Sequence, residues 1–251
     1  DGKKNGVLVV DSGKGTFIGN EIYNNELAGV ESCRSGNPML ERNLVHSGKQ
    51  NGVYVHEVGA ATMVGNTIKT NASAGVEVKT GGTVKMTNNI VCDGKGNGVY
   101  INDNGQGDLE GNDIFNNVLS GVKIKTGSKP NLRKNKIHDG QSRGVYVLDR
   151  GEGYLEGNEI YANTSAGVEI ETGAEPVLKD NRIFNGKSTG VYLHDSAGGV
   201  LEDNEIAANA GDGILVESNS CPVIKGNVII AGKASGVHYH DSAKGVIGPN
   251  N

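Results

Sequence analysis

The chain has 251 residues, of which 40 are glycine, and its formal net charge is −5 with an isoelectric point near 5.7. Nucleic-acid-binding domains usually carry a basic face, so this charge argues against a nucleic-acid partner. No run of apolar residues is long enough for a membrane-spanning helix, so we expect no membrane partner either.

Glycine recurs with a fixed spacing of 23 residues over nearly the whole chain. Each of these glycines is followed by Val, or once by Ile214. The column comprises Gly6, Gly29, Gly52, Gly75, Gly98, Gly121, Gly144, Gly167, Gly190, Gly213 and Gly236. A period without slippage indicates one small unit that is stacked repeatedly, as in a solenoid.

The residue pattern of each 23-residue unit predicts three short strands in the same order. The first strand follows the glycine, and in coil three Val53 and Val55 would point to one side while Tyr54 and His56 point to the other. The second and third strands centre on large apolar residues such as Met63 and Ile68, with Gly, Asn or Pro between them. No six-residue period of the left-handed type is present. We therefore predict an all-β protein: a right-handed parallel β-helix of about 11 coils, formed as a single domain by residues 1–251.

Two columns are expected to hold the coils together. Glycine would open the first strand at a backbone angle that a Cβ atom forbids. Asparagine, which occurs 14 residues after each glycine, would stack as an internal ladder at the bend between the second and third strands. The asparagines are Asn20, Asn43, Asn66, Asn89, Asn112, Asn135, Asn158, Asn181, Asn204, Asn227 and Asn250.

A doubled period of 46 residues overlies the first. Nineteen residues after the glycine, Asn and Gly alternate strictly, as in Asn71, Gly94 and Asn117. Two residues after it, Tyr alternates with Glu or Lys, and five residues after it, Asp alternates with Thr in the middle of the chain. Interleaving separates like charges that would repel in adjacent strands, and a Thr hydroxyl can bridge to the neighbouring Asp.

The three cysteines, Cys33, Cys92 and Cys221, lie in different coils and different columns. Since a disulfide needs Cα atoms within about 7 Å, none is expected, which fits a reducing compartment. The residues at the start do not form a signal peptide, and polar caps are absent from both end coils. We therefore expect the chain to be a fragment of a longer protein.

The repeated phrase in residues 111–140, which recurs at 157–186, resembles the central β-helix of F-box-only proteins. More broadly it is similar to the carbohydrate-binding and sugar-hydrolase (CASH) repeats of the pectin-lyase-like superfamily. The F-box resemblance implies a rigid platform that holds a protein substrate, and an intracellular location. The broader resemblance implies a carbohydrate-binding or carbohydrate-active β-helix as the alternative. A structural spacer without a ligand is the third possibility.

The outward face of the first strand is the predicted binding surface, for a protein segment or a glycan. Tyrosines supply contact area and a polar tip, and carboxylates flank them. The candidate residues are Tyr54, Tyr100, Tyr146, Tyr192, Asp103, Asp149 and Asp195. The same tyrosines could instead serve only to stabilise the sheet surface.

Catalysis would use the same face. Tyr192, His194 and Asp195 form the candidate acid–base set, with Glu169 one coil below and Glu217 one coil above. Constant bend lengths and the absence of an epimerase-like Asp-Pro-His-Asp motif argue against a lyase, hydrolase or epimerase. No cofactor is expected.

The sequence offers a candidate metal site near its end. His238 and His240 have strand spacing suited to two ligands, although the third candidate, His194, is two coils away. Tyr239 stands in a normally apolar column between them and could act as a partial cap.

Overall fold

The computed structural model describes residues 2–249, and within them every regular element is a β-strand. The strands form three parallel sheets, in which each strand pairs with the equivalent strands of the coils below and above. We name the sheets by the strand that each coil contributes: the first-strand, second-strand and third-strand sheets. Coils are numbered from one at Gly6 to eleven at Gly236, each beginning at its column glycine.

The strand bounds follow the repeat. The first-strand sheet contains Val7–Val9, Val30–Ser32, Val53–Val55, Val76–Val78, Val99–Ile101, Val122–Lys125, Val145–Leu148, Val168–Ile170, Val191–Leu193, Ile214–Val216 and Val237–Tyr239. The second-strand sheet contains Lys14–Ile18, Asn37–Glu41, Ala60–Val64, Thr83–Thr87, Gln106–Glu110, Asn131–Arg133, Tyr154–Glu156, Val177–Lys179, Val200–Glu202, Val223–Lys225 and Val246–Ile247. The third-strand sheet contains Glu21–Tyr23, Leu44–His46, Thr67–Lys69, Ile90–Cys92, Asp113–Phe115, Lys136–His138, Glu159–Tyr161, Arg182–Phe184, Glu205–Ala207 and Val228–Ile230.

The register of all three sheets equals the sequence period. Val76 pairs with Val53 and Val99, and Met86 pairs with Met63 and Leu109. Inward-pointing residues of the three sheets are buried almost completely and form one continuous core along the axis. The predicted parallel β-helix with three short strands per coil is therefore confirmed.

The asparagine column forms the predicted ladder. Asn135 is almost fully buried, and its Nδ2 donates to Oδ1 of Asn158 at 3.0 Å and to the Leu109 carbonyl at 2.9 Å. Its own Oδ1 accepts from the backbone N–H and the Nδ2 of Asn112, each at 2.9 Å. Each amide thus links three coils and satisfies polar groups that the bend would otherwise bury unpaired. Asn250, the last member of the column, lies outside the described residues.

The glycine column is required for a different reason from the one predicted. Its members do not have positive φ, so the backbone angle is open to any residue. A Cβ atom on Gly121 would instead lie 2.5 Å from Cγ2 of Ile137 and 2.8 Å from the Gly144 carbonyl oxygen. The prediction of a forbidden angle was wrong, because the constraint is the close approach of the next coil and of the third strand.

A second asparagine set explains the doubled period. Asn71 and Asn117 are buried at the bend before the first strand, and their Oδ1 atoms accept from the backbone N–H of Gly48 and Gly94 at 3.0 Å. A Cβ atom on either glycine would lie 3.0 Å from that same oxygen. The amide therefore fills the space of the missing side chain, which is why Asn and Gly must alternate.

All three cysteines are free, as predicted, and differ in exposure. Burial raises the pKa of the Cys92 thiol to about 12, with a hydrogen bond to Asp93 as the second cause. Since the thiolate is the reactive form, Cys92 should resist iodoacetamide at pH 8 while the exposed Cys221 is alkylated. Mass spectrometry of the native protein checks this, and equal modification of both would contradict the burial.

Within residues 2–249, no helix is long and apolar enough to cross a lipid bilayer.

Candidate functional site

The outer face of the first-strand sheet carries two polar columns, two and four residues after the glycine. The strands hold them at fixed spacing, because equivalent residues of successive coils pair directly: Tyr54 with Glu77, Glu77 with Tyr100, and Tyr100 with Lys123. Successive coils lie about 4.8 Å apart, so tyrosines of alternate coils are about 10 Å apart.

The four predicted tyrosines lie on this face, but their rings are partly covered. Nζ of Lys123 lies 5.6 Å from the ring centroid of Tyr100 and 5.1 Å from that of Tyr146. The His56 ring stacks on Tyr54 at 4.2 Å. Neighbouring cations and imidazoles thus occupy ring faces, a contact that stabilises the sheet.

The predicted carboxylates Asp103, Asp149 and Asp195 lie at the bend after the first strand rather than on the strand itself. All three have φ between 49° and 53°, which turns their side chains toward the rim of the sheet. The Thr80 hydroxyl donates to Asp103 at 3.0 Å, as predicted for the interleaved threonines. Asp149 faces Nζ of Lys125 at 2.8 Å and Asp195 faces Nδ1 of His194 at 3.0 Å, so each of the three carboxylates already has a partner at the edge of the face.

A shallow groove runs along the edge of the first-strand sheet from the end of coil one to coil five. It consists of two adjoining concavities that share Gln50, Asn51 and Glu77; Tyr54 lines the first and Tyr100 the second. We call this surface the axial groove. Small residues, including Ala28, Ala74 and Gly96, line the groove and leave the space that forms the depression.

Polar groups in the axial groove are held in place by bonds between coils. Nδ2 of Asn51 donates to Oε2 of Glu77 at 2.7 Å, and Oδ1 of Asn51 accepts from the Ala74 N–H at 3.0 Å. Nδ2 of Asn102 approaches the other Glu77 oxygen at 3.4 Å. The carboxylate thus has a fixed orientation before any ligand binds.

A second polar cluster lies farther along the same sheet, in coils six to nine. Arg143 donates through Nε and Nη2 to the two oxygens of Glu169, each at 2.8 Å, and the Glu169 side chain is 7% exposed. Nε2 of His194 lies 3.6 Å from Oε1 of Glu169 and 3.2 Å from Oε2 of Glu171. Nδ1 of His194 is 3.0 Å from Oδ2 of Asp195.

Neighbouring tyrosines complete this cluster. Tyr192 donates to Glu217, and burial together with this bond raises the pKa of the Tyr192 phenol. Burial and a hydrogen bond to Glu171 likewise raise the pKa of Tyr146. Both phenols therefore stay protonated at neutral pH and act as hydrogen-bond donors.

The three residues of the predicted acid–base set are close together. The rings of Tyr192 and His194 stack at 4.4 Å, and His194 contacts Asp195. His238 and His240 each face a different carboxylate instead of a common centre: Nδ1 of His238 is 3.3 Å from Asp212, and Nε2 of His240 is 2.6 Å from Glu217. Tyr239 packs against the end of the core.

Sequence reasoning missed Arg143, Glu171, Asn51 and the axial groove. A signal was present, because Asn51 and Glu77, like Arg143 and Glu169, are separated by 26 residues. It also missed a stacked aromatic stripe on the third-strand sheet, formed by Phe115, His138, Tyr161 and Phe184.

Comparison with solved structures finds proteins of the same fold at low sequence identity. The periplasmic alginate epimerase AlgG is 16% identical with a TM-score of 0.76; the alignment covers 94% of this chain and 66% of that one. The A-module of mannuronan C-5 epimerase AlgE4 from Azotobacter vinelandii is 15% identical with a TM-score of 0.56, covering 97% and 79%. The catalytic domain of Agl-KA is 14% identical with a TM-score of 0.73, covering 93% and 53%.

The chain thus spans just under two thirds of the AlgG chain. A search of curated proteins gave no match. The sequence family described as the right handed beta helix region matches residues 1–135 and 120–251, which together include the whole chain and confirm the predicted handedness. The protein therefore belongs to the family of right-handed β-helix regions.

Proposed function

We propose that the protein binds a glycan of low net charge along the axial groove. The observation that carries the proposal is the groove itself, a continuous depression along the coil axis that contains two of the predicted tyrosines, Tyr54 and Tyr100. Concave sites with a few fixed polar groups are the usual location of small-ligand binding.

The groove repeats itself along its length. Tyr54 with Asn51 recurs two coils later as Tyr100 with Asn97, at a distance of about 10 Å. A polysaccharide also presents equivalent groups at regular intervals, so successive sugar units would meet equivalent protein groups. A peptide of mixed sequence gains no such advantage from a periodic site.

The chemistry of the lining suits sugar hydroxyls, which both donate and accept hydrogen bonds. Gln50 offers both functions through its amide, and the oriented carboxylate of Glu77 accepts. The formal charges of Glu31 and Glu77 balance those of Lys79 and Lys95. A neutral glycan therefore fits this groove better than a polyanion.

The fold comparisons add support for a carbohydrate. Two of the similar structures are an alginate epimerase and a mannuronan C-5 epimerase. At 15–16% identity these structures share the fold with this chain, and the groove supplies the contacts for the ligand.

Removing both groove tyrosines should abolish glycan capture. A glycan array identifies the oligosaccharide, and calorimetry with Tyr54→Ala/Tyr100→Ala should show affinity at least about tenfold weaker, since aromatic residues dominate such contacts. The matched control is Tyr161→Ala, which removes a half-buried tyrosine from the third-strand sheet. Unchanged affinity in the double variant, or loss in the control alone, would refute the location.

A protein segment is the second candidate ligand, and one observation favours it. Leu27 and Leu119 line the groove and are 43% and 48% exposed, so an apolar side chain could pack there. The F-box resemblance implies a partner of this kind. Replacing both leucines by Ser should abolish capture of a peptide selected from a random-sequence library while leaving glycan affinity unchanged; capture that survives would count against this candidate.

Catalysis stays a prediction for Tyr192, His194 and Asp195. These residues lie four coils beyond Tyr100, so a glycan in the axial groove would have to extend along the same sheet to reach them. An assay for unsaturated uronic acids or for sugar release, compared between the protein and His194→Ala, tests this prediction directly.

A further inference from the structure

We propose that Glu169, Glu171 and His194 bind a divalent transition-metal ion, with zinc as the expected ion. One ligand atom from each residue lies within 4.8 Å of the other two. Two carboxylate oxygens and an imidazole nitrogen form a donor set that zinc accepts, and three protein ligands leave one position open for water or substrate. The site is distinct from the axial groove and does not depend on it.

The two distances from the imidazole nitrogen to the carboxylates are close to those that zinc imposes. Zinc bonds of about 2.0–2.1 Å in a tetrahedron place ligand atoms roughly 3.3 Å apart. Nε2 of His194 is 3.2 Å from the Glu171 oxygen and 3.6 Å from the Glu169 oxygen. These two distances are compatible with a shared ion, and the carboxylate oxygens of Glu169 and Glu171 lie within 4.8 Å of each other.

The imidazole of His194 faces both proposed carboxylate ligands through Nε2. Its Nε2 is buried and makes no hydrogen bond, although two carboxylates lie close to it. Its Nδ1 contacts Asp195, and because a carboxylate can only accept, Nδ1 carries the hydrogen in this contact. In the neutral ring this leaves a lone pair on Nε2 that is directed into the cluster.

Outer residues fix both carboxylates as well. Arg143 holds Glu169 through two bonds, and Tyr146 hydrogen-bonds to Glu171. Together with Asp195 on His194, every proposed ligand has an orienting partner, which is the usual arrangement around protein-bound zinc.

The repeat supplies an internal comparison. Six coils earlier, the same three positions hold Glu31, Cys33 and His56, whose ligand atoms also lie within 4.8 Å of one another. There Nε2 of His56 already makes a 3.0 Å hydrogen bond to Glu31. Only the later cluster leaves the imidazole nitrogen without a hydrogen-bond partner, so we assign the metal to Glu169, Glu171 and His194.

Equilibrium dialysis against zinc chloride, without glycan, tests the assignment. The protein should bind one zinc ion at this site, and His194→Ala and Glu171→Gln should each weaken binding at least tenfold. Asp195→Asn, a positioning change, should weaken it less. His138→Ala is the matched control, because His138 also lies between two carboxylates, Asp113 and Asp139, but belongs to no three-ligand group of the described chain.

Three results would overturn the proposal. They are no zinc binding by the unaltered protein, equal binding by His194→Ala, or loss of the zinc in Cys33→Ser with retention in His194→Ala. Circular dichroism establishes that each variant is folded. Glycan affinity is measured separately, so failure of the metal site and failure of the axial groove give different results.

Discussion

Replacing Asn135 by Leu should lower the free energy of unfolding by about 3 kcal/mol or more. The side chains are similar in size, but the substitution leaves the buried N–H of Asn112 without its acceptor. It also removes the amide bonds to Asn158 and to the Leu109 carbonyl. Each unsatisfied buried polar group costs about 1–3 kcal/mol. Chemical denaturation with circular dichroism measures the loss.

The control for this prediction is Asn131→Ala. Nδ2 of Asn131 makes a 2.8 Å bond to Asp108, but that bond is exposed to solvent. Water replaces the lost partner there, so we expect a change of less than about 1 kcal/mol. Equal losses in the two variants would mean that the internal ladder contributes no more than surface contacts do.

Gly121→Ala should destabilise the protein by about 2–3 kcal/mol, although alanine adds a single methyl group. The new Cβ would lie 2.5 Å from Cγ2 of Ile137 and 2.8 Å from the carbonyl oxygen of Gly144. Relief of these contacts requires movement of the backbone of the next coil, and overpacking of this kind typically costs 1–3 kcal/mol. The same denaturation experiment measures it.

Gly19→Ala separates this steric effect from a conformational one. Gly19 has a φ of 66° and no atom within 4 Å of the position of a Cβ. Alanine there would cost about 1 kcal/mol through the left-handed backbone alone. A loss for Gly19→Ala that exceeds that for Gly121→Ala would contradict the assignment of close approach to the glycine column.

Much of the fold was predictable because equivalent positions of every coil carry the same type of residue. Asn135 is predictable as a ladder residue, since the same amide recurs at each bend and one member can satisfy the next only in this register. The reason why position 121 must be glycine was not predictable. The repeated glycine shows that a side chain is excluded there, but it does not show whether the backbone angle or a neighbouring atom excludes it.

The site was less predictable, since it depends on contacts between columns. The sequence placed His194 beside Asp195 and Glu169, and the structure brings them together. The sequence did not indicate Glu171. In the column four residues after the glycine, the only other carboxylate is Glu217, so no repeated acidic position pointed to it. The contact of the Lys123 ammonium group with the Tyr100 ring was likewise not predictable. The repeat spacing shows which residues are neighbours but not the direction in which their side chains extend.

Hydrogen–deuterium exchange of the glycan complex tests whether a glycan lies along the axial groove. With the oligosaccharide selected on the array, added protection should be confined to the segments that line the groove, namely residues 27–31, 50–54, 72–79 and 95–100 together with Leu119. Protection on the second-strand or third-strand sheet, or none with any glycan that binds, would contradict the account.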